Sequence, residues 1–326
     1  MRRLTHRVEA LPIRGAFTIS RGSRTETVVV VVEISDGYQI GRGESVPYAR
    51  YGETPASVSA QIDSVAELIA AGGDRAVLQQ AMPAGAARNA VDCALWDLEA
   101  KRAGKRAWEL AGIEMPDRLT TAYTLSLDTP EKMAAAARES AHRPLLKLKL
   151  GGGEDIERVR AVRAAAPNAD LIVDANEGWR PDQLSAMMRA MADIGVALIE
   201  QPLPAADDAA LADVAHPVPI CADESFHDRG SLAEVTGRYD FVNIKLDKTG
   251  GLTEALAVVD EAERRGLGIM VGCMLASSLS MAPATLVAAR ARFVDLDGPL
   301  LLARDREPGL AFEGSSMAPP AAALWG

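Results

Sequence analysis

The chain has 326 residues, a formal net charge of −10, 48% hydrophobic residues and 25% charged residues. This composition is typical of a globular protein with one large domain or two smaller ones. The acidic balance argues against a nucleic acid partner, because phosphate backbones attract basic proteins. The longest aliphatic run, Val28 to Val32, suits a strand and is far too short to cross a membrane, so no membrane partner is expected.

The first 118 residues combine strand patterns with helical patterns. The strand patterns are RVEALPI, ETVVVVVEI and IGRGESV, and the helical patterns that follow include SVSAQIDSVAELIAAG and AARNAVDCALWDLEAKRAG. In the second of these helices, Val91, Ala94, Leu95 and Leu98 form one apolar stripe. This order predicts an N-terminal α+β domain at residues 1–118.

From residue 119, apolar strand-like runs alternate with helical segments. There are eight runs, at 119–125, 145–150, 170–176, 197–202, 219–225, 241–247, 268–274 and 293–298. Clear helical patterns lie between some of them, at 154–166, 181–195 and 252–266. The alternation predicts parallel βαβ units, and eight such units most simply close into a barrel at 119–302. Because the stretch is short for a barrel, some helices should be minimal. The tail, 303–326, shows no clear element, and we expect it to return to the first domain.

Ionisable residues stand near the C-terminal ends of the predicted barrel strands, where barrel enzymes carry their chemistry. Five of them follow one another at steps of 25, 26, 23 and 22 residues, close to the length of one βα unit: Lys149, Asp174, Glu200, Asp223 and Lys245. We therefore expect them at similar heights around one cavity. Two further pairs, Lys147 with Lys149 and Asp295 with Asp297, are spaced two apart, so each pair lies on one face of its strand.

Three carboxylates on adjacent strands would repel one another unless a cation lay between them. Oxygen ligands without His or Cys suit a hard cation, and Mg²⁺ takes few protein carboxylates and keeps positions open for substrate. We therefore predict that Asp174, Glu200 and Asp223 bind Mg²⁺. Lys149 precedes these strands and Lys245 follows them, so a substrate carboxylate on the metal would lie between two amines. This arrangement suits removal of the proton α to the carboxylate, with the metal stabilising the enediolate.

Lysine is rare in the chain. Only seven of the 35 basic residues are Lys, and four of these are Lys147, Lys149, Lys245 and Lys248. Lys can lose its proton where Arg cannot, although a codon bias towards Arg is an alternative explanation of the count. We expect Lys147 and the metal to lower the pKa of Lys149, and Lys147 also to bind the substrate carboxylate. One lysine would remove the α-proton and the other would return a proton on the opposite face, which gives the epimer.

Six motifs resemble the muconate-lactonising branch of the enolase superfamily, and most closely its dipeptide epimerases. They are KLKL (147–150), VDAN (173–176), EQP (200–202), ADES (222–225), NIKLDKTGG (243–251) and DLDGP (295–299). The similarity extends from about residue 16 to about residue 308. It implies a modified (β/α)7β barrel with an α+β capping domain, Mg²⁺ as cofactor, and Lys149 with Lys245 as the acid/base pair.

The resemblance also implies a small dipeptide substrate, L-Ala-D/L-Glu, and a role in recycling cell-wall peptides. In such epimerases the aspartates of the last strand, here Asp295 and Asp297, hold the dipeptide ammonium. An arginine of a first-domain loop, here Arg24, binds the Glu side-chain carboxylate. A loop cap for Asp297 and a solvated side chain for Arg24 are the alternatives.

Other reactions remain open at the level of sequence. o-Succinylbenzoate synthase chemistry, cycloisomerisation and N-acylamino acid racemisation can use the same lysines and metal, but they do not need an ammonium clamp. A mandelate-type racemase would need a His in the seventh strand, which has none. A Schiff-base aldolase would leave the three carboxylates unexplained. A non-catalytic metal-binding or ligand-binding module would not exchange the α-hydrogen of a substrate with solvent. Three widely spaced cysteines match no disulfide framework and favour the reducing cytoplasm, and a homo-oligomer stays open.

Overall fold

The N-terminal residues form a three-stranded antiparallel sheet, β1-β2-β3, covered by helices. The computed structural model describes residues 1–326. The elements are β1 (Arg3–Ile19), β2 (Gly22–Ser35), β3 (Ile40–Ser45), α1 (Pro55–Ser64), α2 (Ala66–Ala70), α3 (Arg75–Ala81), α4 (Ala86–Ala103) and α5 (Ala107–Leu110). Because side chains alternate along a strand, Val30 and Val32 of β2 pack under the helices, whereas Val29 and Val31 face the core shared with the barrel.

Helix α4 lies between the N-terminal sheet and the barrel. The predicted stripe of Val91, Ala94, Leu95 and Leu98 is confirmed, since all four side chains are buried against the sheet. The sequence pattern did not indicate that the opposite side of α4 is buried as well. That side packs Trp96 and other residues into the barrel core.

The predicted barrel is confirmed as a sheet of eight parallel strands in sequential order. A short strand, β4 (Leu119–Thr120), precedes the barrel strands, which are β5 (Tyr123–Leu125), β6 (Leu145–Lys149), β7 (Asp170–Asp174), β8 (Leu198–Glu200), β9 (Ile220–Ala222), β10 (Phe241–Ile244), β11 (Gly268–Val271) and β12 (Phe293–Val294). The first and last strands meet, because the Ala122 N–H donates to the Val294 carbonyl over 2.8 Å.

Seven crossovers connect the eight strands, as a (β/α)7β barrel requires. Their helices are α6 (Pro130–Glu139), α7 (Asp155–Ala165), α8 (Leu184–Ile194), α9 (Leu232–Val235), α10 (Leu246–Thr249), α11 (Leu252–Arg264) and α12 (Ser278–Ala288), and α13 (Gly298–Leu301) follows the last strand. The expectation of minimal helices is confirmed. One crossover has only a 3-10 segment, Asp208–Asp213, and another has the four residues of α9 as its only α-helix.

Two expectations about the barrel's ends were wrong. The run 119–125 is not one strand, because β4 turns away and pairs antiparallel with the tail. The tail is not without structure: β13 (Phe312–Glu313) and β14 (Ser316–Met317) form a hairpin. The tail also contacts the N-terminal residues, since Arg306 forms ion pairs with Glu9 and Glu44. The domain limits at 118 and 302 stay a prediction. No helix has both the length and the apolar character needed to cross a bilayer.

Candidate active site

The interior of the barrel has an apolar floor with polar layers above it. Eight buried residues make the floor, one from or beside each strand: Ala122, Leu145, Ile172, Leu198, Cys221, Phe241, Met270 and Phe293. Because side chains alternate along a strand, the residues two and four positions after each floor residue also face the barrel interior. Those positions hold nearly all the candidate site residues: Lys147, Lys149, Asp174, Glu200, Asp223, Lys245, Asp295 and Asp297. All eight are buried.

Lys147 is an ion-pair hub near the centre of the barrel. Its Nζ lies 2.6 Å from Oε2 of Glu200, 2.7 Å from Oδ2 of Asp295 and 3.5 Å from Oδ2 of Asp174. The contact with Glu200 is close in distance but lacks hydrogen-bond geometry, so Oε2 of Glu200 has no hydrogen-bond partner. The three carboxylates offset the cost of burying this cation.

The other lysines pair with the outer two of the three predicted metal ligands. Nζ of Lys149 lies 2.5 Å from Oδ2 of Asp174, with which Lys149 is directly paired across β6 and β7. Nζ of Lys245 lies 2.6 Å from Oδ2 of Asp223. Lys248 holds the other oxygen of Asp223, also at 2.6 Å. An amine therefore contacts each of these two carboxylates.

A hydrogen bond fixes the middle carboxylate from a residue that sequence reasoning did not place in the site. Asn243 of β10 donates from Nδ2 to Oε1 of Glu200 over 2.8 Å. The room for its side chain comes from Gly272, at which an added Cβ would lie 2.6 Å from Oδ1 of Asn243. The motif NIKLDKTGG contains Asn243 two positions before Lys245, so strand alternation could have identified it.

The charges of the site shift the pKa values of its members. Burial would lower the pKa of Lys147, but Asp295, Glu200 and Asp174 raise it well above its usual value. Burial would also lower the pKa of Lys245, but Asp223 and Glu200 raise the pKa of that amine well above its usual value. These carboxylates favour the protonated form of both lysines.

The carboxylates respond in opposite directions. Burial alone would raise the pKa of Asp223, but Lys245 and Lys248 hold it well below its usual value. Burial and the neighbouring Asp174 raise the pKa of Glu200. Burial lowers the pKa of Lys248, and Asp223 opposes this shift.

The donor set fits a hard divalent cation, although the side chains do not converge as they stand. Asp174, Glu200 and Asp223 are buried, supply only oxygen donors and lie on adjacent strands. No group of three acidic, His or Cys side chains is close enough to hold a metal ion in this conformation. The amines of Lys147, Lys149 and Lys245 contact oxygens of these three carboxylates.

A small cavity opens above this layer. Its lining includes both Lys149 and Lys245, the pair Asp295 and Asp297, and Arg24 from the N-terminal hairpin. The structure thus brings Arg24 to the same cavity as the barrel residues, although it stands 125 positions before Lys149 in the chain. Lys147 lies beneath the lining, and Glu200 is enclosed completely.

The two aspartates of the last strand differ in their partners. Asp295 accepts from Lys147, whereas Oδ2 of Asp297 accepts from the backbone N–H of Thr124 over 2.6 Å. Burial and the adjacent Asp295 raise the pKa of Asp297 to about 7. Asp297 is therefore the member of the pair without a lysine counter-ion.

The hairpin between β1 and β2 covers the cavity and is tied to the barrel by ion pairs that the sequence pattern did not reveal. Arg21 at its turn lies 2.8 Å from Oε1 of Glu224 and 3.4 Å from Oε2 of Glu177. Arg50, which follows β3 and lies outside the hairpin, is also 2.5 Å from Glu177. Glu177 has a left-handed backbone with φ of 65°, an uncommon conformation for a residue other than glycine. No local sequence signal links these residues.

Comparison with known proteins places the chain in a family. The enolase C-terminal domain-like family matches residues 131–321, and the mandelate racemase/muconate lactonizing enzyme N-terminal domain family matches residues 1–112. L-Ala-D/L-Glu epimerase of Escherichia coli is 52% identical, with 93% of this chain and 95% of that protein covered. N-acetyl-D-glutamate racemase of a Pseudoalteromonas species is 44% identical, with 91% of this chain and 95% of that protein covered.

Solved structures agree with the sequence relatives. An enolase family member from Agrobacterium tumefaciens with homology to dipeptide epimerases, solved with sodium and L-Ala-L-Glu, has a TM-score of 0.98 at 56% identity and covers both chains fully. A dipeptide epimerase from Enterococcus faecalis, complexed with Mg and L-Leu-L-Tyr, has a TM-score of 0.90 at 30% identity, covering 98% of this chain and 96% of that one. The resemblance stated from the motifs is confirmed: the chain belongs to the mandelate racemase and muconate lactonizing group of the enolase superfamily and, within it, to the dipeptide epimerases, which are isomerases.

Proposed function

We propose that this chain is a magnesium-dependent epimerase that acts on L-Ala-D/L-Glu by 1,1-proton transfer at the α-carbon of the C-terminal residue. One observation carries the proposal. Two buried amines, Lys149 on β6 and Lys245 after β10, line one cavity on either side of the three acidic strands. A single carbon acid placed between them can lose a proton to one amine and gain a proton from the other.

Asp174, Glu200 and Asp223 would hold the magnesium ion. The bound cation supplies positive charge that stabilises the negative charge developing on the substrate carboxylate as the α-proton leaves. Lys147, whose pKa is raised, adds a fixed positive charge beside the same carboxylates, beneath the cavity lining. Its predicted direct contact with the substrate carboxylate stays a prediction. Asn243 keeps Glu200 in place through its hydrogen bond.

Three further lining residues orient the dipeptide. Asp295 and Asp297 accept the N-terminal ammonium, and Arg24 binds the side-chain carboxylate of the Glu residue. With both ends held, the α-carbon is fixed between Lys149 and Lys245. In one direction Lys149 takes the proton and Lys245 supplies one; in the other direction the two amines exchange roles, which returns each to its starting state.

Racemisation of N-acetylglutamate is the second candidate, because the racemase of that substrate is 44% identical to this chain. An N-acyl group carries no ammonium. The dipeptide explains Asp297 better, since this buried carboxyl has no cationic partner in the protein.

The compartment and the pathway belong to the same proposal. All three cysteines are free thiols, which suits a reducing compartment such as the cytoplasm. L-Ala-D/L-Glu is a fragment of cell-wall peptide, so we propose a role in recycling such peptides, with no nucleic acid or membrane partner. A homo-oligomer is compatible with this function but is not required by it.

The decisive experiment follows L-Ala-L-Glu by NMR in D₂O with Mg²⁺. The parent protein should incorporate deuterium at the Glu α-carbon and form the second diastereomer. Lys149→Ala and Lys245→Ala should each abolish epimerisation, and each should exchange the α-proton of one diastereomer only, since one base remains. Lys132→Ala, at an exposed lysine, is the control. Near-parent epimerisation by either active-site variant would disprove the two-base scheme.

A further inference from the structure

Lys248 is a buried amine that the proposed mechanism does not use. It lies on α10, three residues after Lys245, and its side chain is completely enclosed. It is not among the residues that line the cavity. Lys248 therefore cannot reach a substrate and can influence the reaction only through a residue that it contacts.

Both contacts of the Lys248 amine are with one residue. Nζ donates to Oδ1 of Asp223 over 2.6 Å and to the backbone carbonyl oxygen of Asp223 over 2.6 Å. An amine that bonds to both the main chain and the carboxylate of the same residue fixes the torsion angles between them. The Asp223 carboxylate is thereby prevented from rotating, and Oδ1 is occupied.

The second oxygen, Oδ2, is directed to the centre of the site, where Lys245 contacts it at 2.6 Å. A free carboxylate can bind a cation through one oxygen or both. Mg²⁺ requires near-octahedral geometry and short bonds to single oxygens, whereas larger cations tolerate two oxygens from one carboxylate. A carboxylate held through Oδ1 offers a cation only Oδ2.

The backbone of α10, which carries Lys248, is held by the N-terminal domain. Arg88 of α4 donates to the carbonyl oxygens of Thr249 over 2.7 Å and of Gly250 over 3.0 Å, which caps α10. Asn89 donates to Asp247 over 2.8 Å. The amine of Lys248 also lies 5.5 Å from the centre of the Phe226 ring. The backbone position of Lys248 is therefore set by contacts that do not involve the three proposed metal ligands.

We propose that Lys248 is a positioning residue that holds Asp223 as a one-oxygen ligand for Mg²⁺. The proposal rests on the proposed function only in assigning Asp223 to the metal. Loss of the Lys248 amine would leave the Asp223 carboxylate free to rotate. Mg²⁺ binding would then weaken, and larger cations such as Ca²⁺ would bind better relative to Mg²⁺. Residues that orient metal ligands typically contribute 10- to 100-fold to metal affinity.

The test measures metal binding without substrate. Isothermal titration of Mg²⁺ and of Ca²⁺ into the parent, Lys248→Met and Lys248→Gln should give at least about tenfold weaker Mg²⁺ binding in the variants, with a smaller loss for Ca²⁺. Lys101→Met is a matched control, because Lys101 bridges the buried Asp97 carboxylate at 2.7 Å and the Ile40 carbonyl at 2.8 Å far from the site. The control should keep the Mg²⁺ affinity of the parent.

Kinetics separate positioning from chemistry. The Mg²⁺ concentration needed for half-maximal epimerisation should rise in Lys248→Met by the same factor as the dissociation constant, and kcat should recover at saturating Mg²⁺. Parent-like Mg²⁺ affinity in a folded variant would overturn the proposal. Failure of both variants to fold would also overturn it, because Lys248 would then be required for the structure as a whole. Failure of the parent to epimerise dipeptides would refute the proposed function and leave the metal measurement valid.

Discussion

The charge of Asp297 decides how well a dipeptide ammonium can be held. Burial and Asp295 raise the pKa of this carboxyl to about 7. Because the pKa of an acid is raised, the group is neutral below about pH 7 and anionic above it. Only the anion attracts an ammonium, so we expect kcat/KM for L-Ala-L-Glu to rise with pH through about 7, by up to tenfold per unit.

The matching variant separates this effect from ionisation of the lysine bases. Asp297→Asn should lower kcat/KM for the dipeptide by about 100-fold, the usual range for one partner of a buried charge pair. It should also remove the part of the rise in kcat/KM with pH that comes from ionisation of Asp297. N-acetyl-L-glutamate, which lacks the ammonium, should lose much less. Equal losses for the two substrates, measured from pH 5.5 to 8.5, would exclude Asp297 as an ammonium ligand.

At the scale of elements, the segment after β10 joins the two parts of the molecule. Gly251 has a φ of 114°, and a Cβ there would lie 2.6 Å from the side chain of Asp92. Asp92 in turn accepts from the N–H of Thr253 at the start of α11 over 2.9 Å. The close approach of α4 to this segment therefore requires glycine at position 251.

We expect Gly251→Ala to lower the free energy of unfolding by about 2–4 kcal/mol, since it adds steric overlap to backbone strain. The control is Gly237→Ala, at a φ of 81° where an added Cβ meets no atom within 4 Å. It should cost about 1 kcal/mol, from backbone strain alone. Urea denaturation followed by circular dichroism measures both values, and equal costs would show that the contact with α4 contributes nothing.

The sequence predicted the elements that repeat and missed the contacts between distant ones. Strand alternation and the spacing from Lys149 to Lys245 predicted residues that share the barrel interior, because βα units of similar length put strand ends at similar heights. Of these five residues, Lys149, Asp223 and Lys245 line the cavity, whereas Asp174 and Glu200 lie fully buried beneath it. The inward position of Asn243 followed the same rule and was overlooked. The pairing of Arg21 with Glu224 could not be derived, because it joins a hairpin turn to a barrel loop 203 residues away. The 3-10 segment at 208–213 likewise has no helical periodicity to detect.

At the scale of the whole molecule, buried acids make the metal-free protein sensitive to pH. Burial is the main cause that raises four pKa values, to about 6 for one residue and about 7 for three: Asp92, Glu224, Asp247 and Asp297. The folded state binds protons that the unfolded chain, with reference values near 4, does not. This stability is present below about pH 4 and is lost as pH rises through 6 to 7.

We therefore expect the apparent melting temperature in EDTA to fall by at least about 5 °C between pH 5 and pH 8. His227, whose pKa is lowered by burial, changes stability with pH in the opposite direction, but it is one group against these four acids. Mg²⁺ at pH 8 should recover part of the loss by binding the folded state. Asp247→Asn should flatten the dependence while its acceptor for Asn89 is kept. A melting temperature that is higher at pH 8 than at pH 5 in EDTA would contradict this account.

The burial of Lys147, Lys149, Lys245 and Lys248 leaves few primary amines on the surface. Of the side chains, Lys105 and Lys132 are exposed and Lys101 is partly so. Acylating reagents such as succinimidyl esters should therefore label these three first and spare Lys147 and Lys248, which do not line the cavity. Peptide mass spectrometry can count the labelled sites. Coupling to a solid support through lysine would then attach the protein at two or three defined points, with the reactive amines shielded inside the barrel.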